Sequence, residues 1–303
     1  MHNTAMSATL VTGAFGCLGA WVTAILAADG ERVVAHDLGT DPRRLELVAD
    51  AQSRERVTFV QGDVADLAGL ERLIDEHDIT SVIHLAALQA PYCAADPVLG
   101  AQVNIVGTVA VFEAVRRAGL TTTISYASSA AAASAPGDAP STFYGVYKLA
   151  TEGVAERYAA DFGVPSVGLR PACVYGPGRD RGTTAAVSEA IVAAGRGKRY
   201  RIPFATALEL HYAADVARAF IAQTAHYTDG ALIRTVPSVG STPMAELVSA
   251  VERVVPGAAD LIDVGDEQLP FPGKTPGTPV EMTITPLDDG IRATVELTKG
   301  ARV

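Results

Sequence analysis

The chain has 303 residues and a mass of 31.4 kDa, with 49% hydrophobic and 19% charged residues and a mean hydropathy of +0.22. That is too apolar for a disordered chain, and long enough for one large domain or two modest ones with a buried core. The 34 acidic against 24 basic side chains leave a formal charge of −10, which opposes nucleic-acid binding because the basic residues occur only as scattered pairs.

Cys17, Cys93 and Cys173 lie far apart and are odd in number. They suggest neither a disulfide framework nor a metal-ligand set, and the six histidines show no ligand spacing either. No metal is expected, and a reducing cytoplasm is the expected compartment. From Ala8 to Ala28 no residue is charged, which approaches a membrane span in length. The stretch lacks a basic leader, however, and Gly13, Gly16 and Gly19 interrupt it, so neither a targeting segment nor a membrane span is expected.

In chain order, short apolar runs rich in Val, Ile and Thr predict strands over 8–12, 32–37, 57–61, 81–85, 122–126 and 166–170. Continuous rather than alternating apolarity predicts that both faces of these strands are covered. Helical patterns lie between them at 17–29, 42–50, 66–78, 96–119 and 141–163. This β-α alternation predicts an α/β fold, a Rossmann-like doubly wound parallel sheet, with a smaller C-terminal portion. The division is expected at 1–170 for the sheet-forming part and 171–303 for the smaller portion, with about 212–236 returning to the first. Past Arg170 the reading is a loop through Pro171–Gly178, helices at 183–196, 212–226 and 242–254, and a strand at 231–236. A Pro- and Gly-rich tail over 256–286 precedes a last helix at 287–297.

Three motifs carry chemistry. Thr12-Gly13-Ala14-Phe15-Gly16-Cys17-Leu18-Gly19 joins the first strand to the first helix, where glycines let backbone N–H groups approach a pyrophosphate. Asp37 ends the second strand 18 positions past Gly19, suited to accept hydrogen bonds from ribose hydroxyls. Tyr144 and Lys148, four residues apart, share one helix face. A phenol titrates near 10 when free, and a neighbouring ammonium favours its ionised form, so the pair suits removal of an alcohol proton. Tyr147 adjoins the lysine and points elsewhere. Ser128 and Ser129 follow the fifth strand, whose carboxyl end faces the ligand crevice of such sheets.

Together these residues resemble the extended short-chain dehydrogenase/reductases, the NAD-dependent epimerase/dehydratase type. The resemblance covers nearly the whole chain. It implies NAD held by the Gly13, Phe15, Gly16, Cys17, Leu18, Gly19 turn, by Asp37 on the ribose and by Asp63 and Val64 on the adenine side. His84 with Leu85, Ala86 and Ala87 matches the stretch beneath the cofactor, Asn104 an asparagine of the following helix, and Pro171 and Val174 the border of the nicotinamide. Ser129, Tyr144 and Lys148 match the catalytic set. Gln89, Ser129, Cys173, Arg179 and His211 are the candidate substrate contacts. A small-molecule substrate and a homodimer through helices 96–119 and 141–163 are also implied.

Three departures narrow the expectation. The acid-base pair of the dehydratases is replaced by Ala130 and Ala131. Ala133 stands where a tyrosine is usual, leaving room at the substrate side. Cys173 replaces an asparagine common in nucleotide-sugar enzymes, and Glu209 lies where a diphosphate would want a cation. The expected function is NAD-dependent oxidation or reduction at a secondary alcohol or ketone of a small polyol, sugar or sugar acid. The alternatives are a sugar or nucleotide-sugar epimerase acting by transient oxidation, and a non-catalytic NAD-binding regulatory protein.

Overall fold

The computed structural model describes residues 7–133, 140–225, 229–270 and 274–300. Strands β1 (Ala8–Thr12), β2 (Arg32–Asp37), β3 (Val57–Gln61), β4 (Ile79–His84), β5 (Ile124–Ala127) and β6 (Ser166–Arg170) lie within two residues of the expected runs. Beyond them come β7 (Cys173–Tyr175), β8 (Tyr200–Phe204), β9 (Leu208–Tyr212), β10 (Ala231–Thr235), β11 (Ser241–Thr242), β12 (Ile262–Glu267) and β13 (Thr278–Pro279). The main sheet has eight parallel strands in the order β13-β10-β6-β5-β4-β1-β2-β3. Strand order reverses between β1 and β4, and a crevice opens beyond their carboxyl ends at such a switch point.

Strand β1 is buried along its whole length, whereas every residue of β3 is at least partly exposed. The expectation that all six apolar runs are covered on both faces therefore fails at β3. It is an edge strand, and Phe59 stacks on Phe15 with ring centroids 4.7 Å apart rather than entering the core.

The helices are α1 (Cys17–Ala28), α2 (Arg43–Val48), α3 (Ala51–Arg54), α4 (Leu67–Glu76), α5 (Ala90–Ala95), α6 (Pro97–Ala101), α7 (Gly107–Arg117), α8 (Phe143–Phe162), α9 (Ala186–Gly195), α10 (Ala213–Ala225), α11 (Met244–Val254) and α12 (Leu287–Thr298). The single helix expected at 42–50 ends at Val48, because Ala49 turns extended and Asp50 caps α3 by accepting from the Ser53 N–H at 2.8 Å. The helix expected at 96–119 is interrupted by a π turn at Gln102–Val106. Its C-terminal neighbour α8 starts where Thr142 accepts from the Gly145 N–H at 3.0 Å and stops at Gly163, whose φ of +67° is the left-handed conformation glycine adopts freely. Tyr212 ends β9 instead of opening a helix, and His226, the last position of that expected helix, lies outside the described residues.

The tail over 256–286 is not structureless. Strand β12 pairs with β8, and β13 adds an edge to the main sheet beside β10. One core cluster runs through both halves of the chain, joining Val11, Trp21 and Val22 to Val174, Ile191, Phe204, Phe220 and Leu247. The C-terminal portion is thereby packed directly on the crevice that the first half opens.

Candidate active site

A cavity of about 590 Å³ occupies the crevice. At one end it is walled by Gly13 and by Gly16 to Gly19, at the other by Ser128, Ser129, Tyr144 and Lys148. The glycine end follows from backbone geometry. Gly13 has a φ of +68°, and a Cβ there would stand 2.6 Å from the Ala86 nitrogen. A Cβ on Gly19 would stand 2.0 Å from the Gly13 carbonyl oxygen. Glycine at both positions lets the turn lie flat on the β4 exit and brings the start of α1 to the cavity wall. That helix has no side-chain cap and no acid in its first turn, so its N–H groups face the cavity ready for an anion. The donor set fits the pyrophosphate of a dinucleotide.

Asp37 stands at the end of β2, its carboxylate accepting from the Phe15 N–H at 2.9 Å and the Gly39 N–H at 2.8 Å. Beneath the turn, Thr12 and His84 are paired across β1 and β4, with Thr12 Oγ1 2.7 Å from His84 Nδ1. Thr108 donates to the Asn104 carbonyl, so its oxygen accepts from His84 Nε2 at 3.0 Å, and Nδ1 accepts from Thr12. Burial, reinforced by the charge of Lys148, pushes His84 down to about 3 and keeps it neutral.

At the other end, Tyr144 and Lys148 project from the first turns of α8 with Lys148 Nζ 5.7 Å from the Tyr144 ring centroid. Lys148 donates to the Ala127 carbonyl at 2.7 Å, and burial pushes its ammonium down to about 8. Burial also pushes the Tyr144 phenol up, partly offset by its hydrogen bond with Ser129 and by the charge of Arg179. In the protein alone, desolvation thus outweighs these two effects, and the cation acting on the phenol is Arg179 rather than the expected Lys148 ammonium. Tyr147 turns away and donates to the Pro97 carbonyl at 2.9 Å.

Of the candidate residues, Gly13, Gly16, Cys17, Leu18, Gly19, Leu85, Ala87, Gln89, Ser129, Tyr144, Lys148, Pro171, Val174 and Arg179 line this one cavity. The others lie elsewhere. Asp63 is exposed and caps its own turn at the Ala65 N–H, and Val64 is buried against Gly107. The Phe15 ring rests on Phe59, and Ala86 supports the turn through its N–H to Thr12 Oγ1.

Three further candidates lie outside this cavity. Asn104 is fully buried in the π turn and donates to the Leu88 and Gly100 carbonyls, so it braces the loop that carries Gln89 instead of touching the cavity. Cys173 is buried in β7 behind the wall. His211 lines a separate small cavity with Tyr175 and Asp215, its Nδ1 3.3 Å from the Pro237 carbonyl. Glu209 is also absent from the wall: its carboxylate accepts from Ser238 Oγ and from the N–H and Oγ1 of Thr275. It therefore carries no argument against a diphosphate.

Sequence reasoning missed Thr183 and Thr184, which follow Arg179, and Leu269 and Pro270 from the tail, all of which line the cavity. Hydroxyls beside a glycine-flanked arginine were a usable signal for the first two. For Leu269 and Pro270 no local signal existed, since β12 brings them in by pairing with β8.

The family described as the NAD dependent epimerase/dehydratase family matches residues 9–235. Among curated proteins, UDP-glucose 4-epimerase of Mycolicibacterium smegmatis is 33% identical over 199 residues, 61% of this chain and 63% of that protein. UDP-glucuronate 4-epimerase 2 of Arabidopsis thaliana is 33% identical over 182 residues, 55% of this chain and 42% of that protein. The matched stretches thus span less than two thirds of either relative. Among solved structures, the Thermus thermophilus UDP-glucose 4-epimerase complex with NAD superposes with a TM-score of 0.75 at 25% identity, covering 97% of this chain and 100% of that one.

Proposed function

Because the chain belongs to the NAD dependent epimerase/dehydratase family, we propose that it is an NAD-dependent oxidoreductase acting at a secondary alcohol or ketone of a small polyol, sugar or sugar acid. The observation that carries this reading is the convergence of Ser129, Tyr144 and Lys148 on the cavity whose far end is the glycine turn. The turn and the start of α1 hold the pyrophosphate, Asp37 the ribose, and Pro171 and Val174 border the nicotinamide. Bound there, NAD supplies a reversible hydride acceptor. Ser129 holds the substrate oxygen, Tyr144 takes or returns its proton, and Lys148 holds positive charge beside the phenol as the proton moves. Ala130 and Ala131 provide no acid or base for eliminating water.

Residues 1–170 serve the cofactor and most of 171–303 the substrate, with 212–236 belonging to the first group. The unpaired cysteines suit a cytoplasmic enzyme. Val98, Leu99, Val106, Phe143, Val146 and Leu149 are exposed apolar residues on the two long helical segments and suit a second copy of the chain, a homodimer measurable by light scattering.

The names of the curated relatives favour a second reading, epimerisation by transient oxidation with the same residues. Purified protein assayed for NADH formation across polyols and sugar acids, with mass spectrometry and NMR of the products, separates the two. Stoichiometric NADH supports the oxidoreductase. An inverted product without net NADH supports the epimerase.

A further inference from the structure

We propose that the substrate is a hydroxy acid whose carboxylate is held by Arg179, with the amide of Gln89 and the hydroxyls of Thr183 and Thr184 around it. The proposal rests on the reading above, in which Ser129 and Tyr144 take the hydroxyl.

The Arg179 side chain is set by its neighbours in the loop. Pro177 is tied to α1, its carbonyl accepting from Trp21 Nε1 at 3.0 Å. Asp180 is tied to α2, accepting from Arg44 at 2.6 Å and from Arg43 at 3.0 Å. Arg44 also donates to the Phe15 carbonyl at 2.8 Å, so the loop is clamped to the glycine turn on both sides of Arg179. The nearby carboxylate of Asp180 is thereby used by other arginines. Among the described residues the Arg179 side chain has no carboxylate partner within ion-pair distance, and its one hydrogen bond is a long one, 3.3 Å to Thr184 Oγ1.

Two buried polar atoms on this wall have no hydrogen-bond partner: Arg179 Nε and Gln89 Oε1. Gln89 Oε1 and the outer end of the same guanidinium, Arg179 Nη2, flank one point in space. A Cβ on Gly182 would stand 2.1 Å from Gln89 Oε1 and 3.2 Å from Arg179 Nη2, and Gly182 has a φ of +94°. Glycine there leaves the two side chains free to meet across the cavity wall. Arg179 is half-buried, its charge is favoured by a counter-charge, and its planar fork matches a carboxylate.

The remainder of the wall supplies none. Among the described residues lining the cavity there is no Asp or Glu, and the cations are Lys148 and Arg179. Lys148 stands at the alcohol end, bonded to Ala127. Arg179, with the Gln89 amide N–H and the Thr183 and Thr184 hydroxyls as donors beside it, matches a single carboxylate, and Gln89 Oε1 is left to accept from a hydroxyl of the same substrate. A neutral polyol would leave Arg179 uncompensated, and a nucleotide diphosphate would bring more negative charge than Arg179 offsets.

The test is calorimetry of the NAD-loaded protein with glycerate against glycerol, gluconate against glucitol, glucuronate against glucose, and UDP-glucose. At least one acid is expected to bind ten-fold or more tightly than its neutral partner. Arg179→Gln should erase that preference while changing the NAD dissociation constant less than two-fold. Arg179→Lys, which keeps the charge without the fork, should retain part of it, so the proposal stays readable if the glutamine variant folds poorly. Tyr144→Phe should keep the full acid preference, because carboxylate and hydroxyl are held by different residues. Loss of turnover in that variant tests the alcohol-handling reading separately. Equal binding of acids and neutral partners, no binding by any acid, or binding by UDP-glucose alone overturns the proposal. Parallel loss of NAD and acid affinity in Arg179→Gln overturns it too, by placing the arginine on the cofactor.

Discussion

Arg170 grips the carboxylate of Glu152 with two hydrogen bonds, Nε to Oε1 at 2.7 Å and Nη2 to Oε2 at 2.6 Å. Ser128 donates to the same carboxylate at 2.5 Å. Glu152 lies one turn beyond Lys148 on α8, Arg170 ends β6, and Ser128 precedes Ser129 at the exit of β5. The contact thus joins three elements whose relative placement sets the distance from Ser129 to Tyr144. Glu152→Ala would leave Arg170 half-buried without its partner and should lower stability by about 3 to 5 kcal/mol. Urea unfolding measures this, and a change below about 1 kcal/mol would show the pair to be incidental.

Tyr144→Phe is expected to lower kcat by about a thousand-fold with NAD affinity unchanged, since the proton acceptor is lost and the ring kept. Lys148→Ala should lower kcat and weaken NAD binding together. Steady-state kinetics with fluorescence titration of the cofactor checks both. Near-normal turnover in Tyr144→Phe would remove it from the catalytic role.

NAD should bind at least ten-fold more tightly than NADP. The Asp37 carboxylate, held by the Phe15 and Gly39 N–H groups, would accept from ribose hydroxyls and repel a 2′-phosphate. Asp37→Ser should narrow the ratio chiefly by strengthening NADP. Paired cofactor titrations decide the point, and equal affinity in the native protein would contradict it.

His84 makes stability fall in acid. Its folded value, down to about 3, lies below the ordinary 6.5, so between these limits the unfolded chain binds the extra proton. The associated stability is complete above pH 6.5 and is lost as pH falls toward 3, with a slope of up to about 1.4 kcal/mol per pH unit. Chemical denaturation at a series of pH values should show this slope, and His84→Gln should flatten it.

Much of the fold was legible because its signals are local. Short β-branched runs, helical periodicity and the Gly13-to-Gly19 turn each depend on residues within one or two turns of each other, and so does the shared face of Tyr144 and Lys148. The π turn at 102–106 and the break at Ala49 were not legible, since tertiary packing rather than propensity sets them.

The amino-acid sequence by itself determined the parallel sheet, the nucleotide turn and the tyrosine–lysine face, because backbone freedom and helical spacing act over a few residues. Only the tertiary structure decided which distant side chains share the cavity wall. It sent His211 to a separate cavity, put Asn104 and Cys173 behind the wall, and satisfied Glu209 with Ser238 and Thr275. It also brought Leu269 and Pro270 in from the tail, and left Arg179 facing Gln89. The physical reason is that a side chain's partner is chosen by the closure of loops dozens of residues apart, as when Arg44 takes Asp180 across 136 positions, and no periodicity encodes that choice.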